Sequence, residues 1–305
     1  MIEIASLILV AIISFIIVSI LESNLLITTL IFFALPTIYL SFKNQASIKP
    51  ALIFALLASL TFGLLIDYLG YINQVWYTPE TIFGVRLFGG IPIENPLLPF
   101  LWIYLILISY AHCTKDKLQA FSIRKLIIII SLVFATFIAV FLINQSLLGQ
   151  IHYFYLLVVG MFIIPPITII TIQSPGYLPK CLPAVLYIGI VSILDEIAAV
   201  KLNHWNFPST DFIGWVDILD ARFPIEELLS FVLIGPFAVL SYYELLKMNS
   251  ATINSTRKKS TTFSDFFGKW TKIDEKEFNL KVKKFEHTEN EHFSKIPQVR
   301  IWDNK

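Results

Sequence analysis

Apolar residues in this chain come in eight long blocks, at about 4–22, 26–42, 51–70, 93–111, 125–144, 152–172, 183–201 and 225–246. A helix of about 20 apolar residues crosses the hydrocarbon layer of a bilayer, so each block predicts a membrane span. Only Glu22, Ser23 and Asn24 separate the first two, which predicts a tight helical hairpin. Pro50 and Pro183 fall at predicted helix starts, where a missing N–H costs nothing. After residue 247 the pattern stops. The stretch 248–305 is charged and rich in Ser and Thr, with a short strand as one option where Phe278, Leu280 and Val282 alternate with polar residues. The expected fold is all-α: a polytopic transmembrane helix bundle of eight spans, followed by a polar cytoplasmic tail.

Composition agrees. Of 305 residues, 56% are hydrophobic and 15% charged, against about 25% charged in soluble domains, and the mean hydropathy is +0.73. A net charge of +1 gives no reason to expect a nucleic-acid partner. Cys113 and Cys181 are far apart and form no disulfide or metal pattern. His287 and His292 lie among glutamates at a spacing that matches no metal site. The N-terminus lacks a basic region and a small-residue cleavage site, so it reads as a first membrane helix. Lys43, Lys49, Lys115, Lys117, Arg124, Lys125, Lys180 and Lys247 fall in one set of loops, and Arg86, Lys201 and Arg222 in the other. Cytoplasmic loops carry the excess of Lys and Arg. The expected location is therefore the cell membrane, multi-pass, with both termini cytoplasmic. The long loops at about 71–91 and 202–223 fall on the opposite side.

The candidate chemistry lies around those loops and occurs twice. "GIPIENPLLPF" at 90–100 is echoed by "RFPIEELLSF" at 222–231. Pairing the two stretches matches Asp67 with Asp195, Trp76 and Tyr77 with Trp205 and Asn206, Gly84 with Gly214, and Glu94 and Asn95 with Glu226 and Glu227. Order and direction agree, which predicts two parallel repeats of four helices, 1–122 and 123–247, related by an axis near the membrane normal. Helices three, four, seven and eight then meet at one interface. Asp67, Glu94, Asp195, Glu226 and Glu227 are expected at one depth, with Trp76, Tyr77, Trp102, Trp205 and Asn206 beside them as substrate-binding candidates.

A bland reading exists for each copy. Pro followed by Glu is a common helix start, because acids suit the positive N-terminal end. Tryptophans also anchor spans at the membrane interface. Asp67 and Asp195 resist that reading, since acids within spans are rare and usually line a functional cavity. Arg86 and Arg222 are expected to pair with acids or lipid phosphates. Successive helical residues point about 100° apart, so Glu226 and Glu227 cannot both face one point. Glu226 is expected to face the cavity because its counterpart Glu94 is also acidic, with Glu227 supporting it from the side.

The duplicated half, with Pro-Ile-Glu-Glu opening its last helix, resembles the membrane-integral lycopene cyclase domain family in its fused two-domain form, over residues 1–247. The resemblance implies closure of the linear ψ-ends of lycopene into β-ionone rings without net redox change. It implies a lipophilic carotenoid arriving from the bilayer, membrane lipid around the bundle, and other enzymes of carotenoid biosynthesis as neighbours. Asn95 departs from the acidic pair, which places more of the chemistry in the second half.

The residues suit that reaction independently. Ring closure needs an acid to protonate an alkene, a place for a tertiary carbocation, and a base. It needs no metal, and no dinucleotide-binding fingerprint is present. Desolvation and a neighbouring carboxylate both help a carboxyl group hold its proton, and a crowded pair shares one. Aromatic faces stabilise cations. Two other classes use similar parts. A carotenoid hydratase would protonate the same kind of alkene and admit water. A proton-coupled transporter would also place acids at a repeat interface.

Overall fold

A computed structural model describes residues 2–149 and 151–247. The tail expected at 248–305, with the strand option at 278–282 and with His287 and His292, lies outside the described residues. Among the described residues, eight helices are long and apolar enough to cross a membrane. They are α1 Ile2–Leu21, α2 Leu25–Lys43, α3 Gln45–Ile72, α4 Leu97–Thr114, α5 Ile123–Ile143, α6 Phe154–Gln173, α7 Tyr177–Lys201 and α8 Ile225–Leu246. The chain is an all-α, multi-pass membrane protein.

The hairpin between α1 and α2 forms as its three residues predict. Glu22 takes a left-handed conformation at φ 45°, and the Ser23 N–H returns to the Val18 carbonyl at 3.3 Å. Asn24 then caps α2, its side-chain oxygen accepting the Ile27 N–H at 3.1 Å. The Ser23 and Thr28 hydroxyls bond at 2.9 Å across the turn.

Two helix starts differ from expectation. Helices α3 and α7 begin at Gln45 and Tyr177, so Pro50 and Pro183 lie inside them. The residues before each proline are compatible with helix, and bundled membrane helices re-satisfy the groups a proline frees. By contrast α4 starts late, at Leu97, because Ile91–Pro92 is drawn into a hairpin and the next residues turn. In that turn the Asn95 N–H bonds the Pro92 carbonyl at 3.0 Å. Short π-helical stretches interrupt α2 at Leu30–Ala34, α3 at Ser59–Gly63, α6 at Val159–Ile163 and α8 at Leu228–Ile234.

Helices α4 and α7 are the centre of the bundle. The run Leu105, Ile106, Leu107, Ile108 is closed off on every face, so α4 has neighbours all round. It packs against α2, α3 and α7, while α7 packs against α1, α4 and α8. Helix α5 lies at the periphery, with Leu126 its one buried residue.

Each long loop carries an antiparallel hairpin that the sequence pattern did not announce. In the first, β1 Arg86–Leu87 pairs with β2 Ile91–Pro92. In the second, β3 Trp215–Ile218 pairs with β4 Ala221–Pro224, with Trp215 opposite Pro224. The second hairpin is seated through Ala221 and Phe223, both fully buried in a cluster with Ile197 of α7. His204, at the root of the same loop, donates from Nε2 to the Ser23 carbonyl at 2.8 Å and so ties the loop to the first helical hairpin. Burial lowers the His204 pKa.

The loss of an N-terminal cap costs about 1 kcal/mol. Asn24→Ala should therefore lower the thermal unfolding midpoint of the purified protein while leaving its helix content unchanged in circular dichroism. An unaltered midpoint would show that the hairpin does not depend on the cap.

Candidate functional site

A cavity of about 300 Å³ opens between the helices. At one end it is acidic: Asp67 of α3, Glu94 before α4, Asp195 and Glu196 of α7, and Glu227 of α8 all line it. Trp76, Trp102 and Trp205 line it too. Elsewhere its wall is almost wholly apolar.

A carboxyl group out of water needs hydrogen-bond donors, and the two long loops supply most of them. The Trp76 indole N–H donates to Asp67 at 3.2 Å, and the Trp205 indole N–H donates to Glu196 at 3.0 Å. Glu94 accepts the Ile82 backbone N–H at 2.6 Å and the Thr81 hydroxyl at 3.3 Å. Glu226 accepts the Ile213 backbone N–H. Glu227 accepts the hydroxyl of Tyr155, a fully buried residue of α6. Among the described residues, Asp195 Oδ1 and Glu226 Oε2 are buried without a hydrogen-bond partner.

These bonds correct the pairing drawn from sequence. Each tryptophan lies nine residues after the acid it holds, which pairs Asp67 with Glu196. The same register aligns the helix ends: the Val75 N–H bonds Gly70 O at 2.9 Å and the His204 N–H bonds Ala199 O at 2.8 Å. Gln74 and Asn203 follow the same rule, both left-handed, at φ 55° and 58°. Asp195 is thus an additional buried acid of α7, and Glu196 is a site residue that sequence reasoning missed. Its signal was present in the nine-residue spacing.

The expected order of Glu226 and Glu227 is also reversed. Glu227 lines the cavity and Glu226 does not. The 100° step between them turns Glu226 toward the loop, where the Ile213 N–H needs an acceptor. Glu94 serves Ile82 in the same way while still reaching the cavity wall. Asn95, the residue paired with Glu227 from sequence, lines the cavity beside Thr78 and donates to its hydroxyl at 3.3 Å.

Tyr77 and Asn206 are brought together, but not at the cavity. They form a reciprocal backbone bridge, each N–H donating to the other's carbonyl at 2.9 Å. Exchange of both bonds is the hydrogen-bonded pair of an antiparallel bridge. Among the described residues, Arg86 and Arg222 form no ion pair with an acid. Arg86 donates to the carbonyls of Thr78, Pro79 and Gly90 at 3.0, 2.8 and 2.7 Å and lies over the Tyr77 ring, 5.6 Å away. Arg222 lies over Trp215 at 5.2 Å. Both set loop structure.

An aromatic wall stands beside Glu227. Tyr155 meets Trp76, Phe212 and Phe231 at centroid distances of 5.7, 6.0 and 6.0 Å. No sequence signal distinguishes Tyr155 from the other aromatic residues of its span. Trp102 donates from its indole to the Ser192 hydroxyl at 3.0 Å, joining α4 to α7 across the cavity. Among the described residues, no group of three His, Cys, Asp or Glu side chains is placed to hold a metal ion. Comparison with protein-family models, curated proteins and solved structures gave no match.

Trp76 reaches Asp67 only because residue 70 is glycine: a Cβ there would fall on the indole. Overfilling a packed site costs about 1–3 kcal/mol. Gly70→Ala should lower stability by that amount and alter the tryptophan emission as Trp76 is displaced from Asp67. An unchanged spectrum would mean that Trp76 is not held where described.

Proposed function

We propose that this protein is an integral-membrane lycopene cyclase, closing linear ψ-ends into β-ionone rings by proton transfer alone. The observation that carries the reading is a set of carboxyl groups beside aromatic rings, at one end of an apolar cavity inside a membrane bundle. Such a cavity suits a substrate that arrives from the bilayer, and its acids suit a reaction that begins and ends with a proton.

Glu227 is the proposed donor. Tyr155 occupies one of its oxygens as an acceptor, which leaves the other free to carry a proton toward the cavity. That proton adds to the terminal trisubstituted alkene and leaves a tertiary cation. A second alkene of the same chain attacks the cation, forming the ring bond and moving the charge into the ring. Loss of a ring proton to a carboxylate restores neutrality, so atoms and electrons balance without an oxidant. Asp195 and Glu196, on α7, line the same cavity to steady the charge and to accept that proton. Trp76 and Trp205 line the same cavity and supply aromatic surface to the cation. Asp67 and Asn95 form the corresponding corner of the first half, with an amide where the second half has Glu227.

We also infer that the bundle is two parallel four-helix repeats. The matched acid–tryptophan pairs, the matched helix ends and the reciprocal Tyr77–Asn206 bridge all support a two-fold relation. With the Lys and Arg asymmetry, this puts both termini in the cytoplasm and the acid end of the cavity toward the outside. Reporter fusions after Lys247 and within residues 206–212 should then report opposite sides of the membrane; the same side for both would overturn this topology.

Expression in a lycopene-accumulating bacterium should convert the pigment to ring-bearing carotenes on chromatography. Unchanged lycopene, with the protein present in the membrane, would refute the proposal. Glu227→Gln should insert normally and lose general acid help, about a hundredfold or more in product per inserted protein. Glu226→Gln keeps an acceptor for the Ile213 N–H and should be the milder of the two. The reverse order would return the proton-handling role to Glu226.

A further inference from the structure

A second cavity, of about 450 Å³, lies at the end of the bundle opposite the acids. On α8 it is lined by Tyr243, Glu244 and Lys247, and Lys247 is about 30 Å along that helix from Glu227 at 1.5 Å per residue. The loop that follows α4 forms one side of it, and the first turn of α7 forms another. That loop is pinned at three places. The Leu118 N–H donates to the Ser47 hydroxyl at 3.0 Å, the Gln119 carbonyl accepts the Tyr243 hydroxyl, and the Ser122 N–H donates to the Leu246 carbonyl at 2.8 Å. Tyr110, Tyr177 and Tyr243 are the buried aromatic part of the lining. The Tyr110 and Tyr177 rings meet at 5.9 Å, and the Tyr177 hydroxyl donates to the Leu240 carbonyl at 2.9 Å. The cavity is therefore built before any ligand arrives, which lowers the cost of binding one.

Four lysines line this cavity, Lys115, Lys117, Lys180 and Lys247, against two acids, Asp116 and Glu244. Both acids are taken: Asp116 pairs with Lys180, and Glu244 pairs with Lys247 at 3.3 Å. Among the described residues, Lys115 and Lys117 form no ion pair, so two positive charges are left over. Helix ends account for part of this. Lys115 and Lys247 cap the C-terminal ends of α4 and α8, where cations are favoured. The rest is unaccounted for. Lys117 belongs to no helix. Lys180 is the fourth residue of α7, near the positive end of a helix, where a cation is disfavoured. Lys115 also takes a left-handed backbone at φ 57°, so a lysine stands where glycine would cost least.

We propose that this cavity binds a phosphate-bearing anion. Phosphate offers several acceptor oxygens and at least one full negative charge. The two unpaired ammonium groups, on a loop already fixed in place, supply donors and the opposite charge. Lys180 and Lys247 add to the positive field from the other two walls. The tyrosine rings give the organic part of a phosphate ester a surface to lie on. Basic pockets between the ends of membrane helices hold phospholipid head groups, and free phosphate carries the same chemistry. The site shares no residue with the acid end of the bundle and does not depend on the cyclase reading.

The full-length protein in a neutral detergent is titrated in two arms. Native mass spectrometry counts bound phosphatidic acid, with phosphatidylcholine as the neutral comparison, and calorimetry follows inorganic phosphate. At least one arm should saturate at a single site. Saturation by phosphatidic acid but not by phosphate identifies a lipid head group as the source; saturation by phosphate alone identifies the free anion. The double variant Lys115→Gln with Lys117→Gln should weaken that binding about tenfold. Lys49→Gln with Lys125→Gln removes two exposed lysines from the same end of the bundle, outside the cavity, and should change it by less than about twofold at 0.15 M salt. Lys117→Gln alone alters one exposed loop side chain and should already weaken binding severalfold, so the result does not depend on the double variant folding. An equal loss in both double variants would mean general surface charge and would overturn the proposal. So would unchanged binding in the Lys115 and Lys117 variants, or no saturable binding of either probe.

Discussion

Six carboxyl groups near one end of a membrane bundle need hydrogen-bond donors, and the rest of the structure is arranged around supplying them. In hydrocarbon, helices spend their own N–H groups internally, so donors must come from elsewhere. Here they come from the loops. Two indoles reach back to Asp67 and Glu196, and two loop amides are held by Glu94 and Glu226. The dependence is mutual. Each loop is held in part by an acid below it, and the acid is kept from an uncompensated burial by the loop. Tyr155 is the exception, a donor from within a span, and the acid it serves, Glu227, also lines the cavity.

The reciprocal bridge between Tyr77 and Asn206 extends the same logic from one loop to two. Each loop holds one tryptophan just before the bridge residue, so the bridge sets the separation of Trp76 and Trp205 across the head of the cavity. Arg86 completes this arrangement by gathering three backbone carbonyls that would otherwise be left without donors. Cavity, loops and acids thus form one unit rather than a pocket with a separate cover.

The spans were legible because twenty apolar residues in a row admit few other structures, and the turn at Glu22–Asn24 because three polar residues leave little freedom. The candidate acids were legible as well, since a charge inside an apolar block stands out against its neighbours. What did not show was orientation. Glu226 and Glu227 differ by one step around a helix, and which of them meets the cavity depends on a partner 13 residues back in a loop. Asp195 and Glu196 pose the same problem: both are acids on α7, and only the spacing to Trp205 separates them. Tyr155 was hidden because an aromatic residue in a span is ordinary until an acid is found against it. The two hairpins escaped notice because their strands are only two to four residues long, too short for an alternation to register.

The π-helical stretch of α8 begins directly after Glu227 and ends at Ile234, and the Gly235 N–H still reaches back to the Ser230 carbonyl, five residues away. A turn of this kind holds one residue more than an α-turn, so it acts as a phase setting between two parts of one helix. Above it lies the acid; below it lie Val239, Tyr242 and Leu246, which face the same cavity. In an uninterrupted α-helix one residue of rotation, about 100°, would separate these two sets of directions. A single-residue deletion within 228–234 is therefore a change of phase for half a helix. It would turn the lower wall of the cavity away from the cavity while leaving every residue of that wall unchanged in kind.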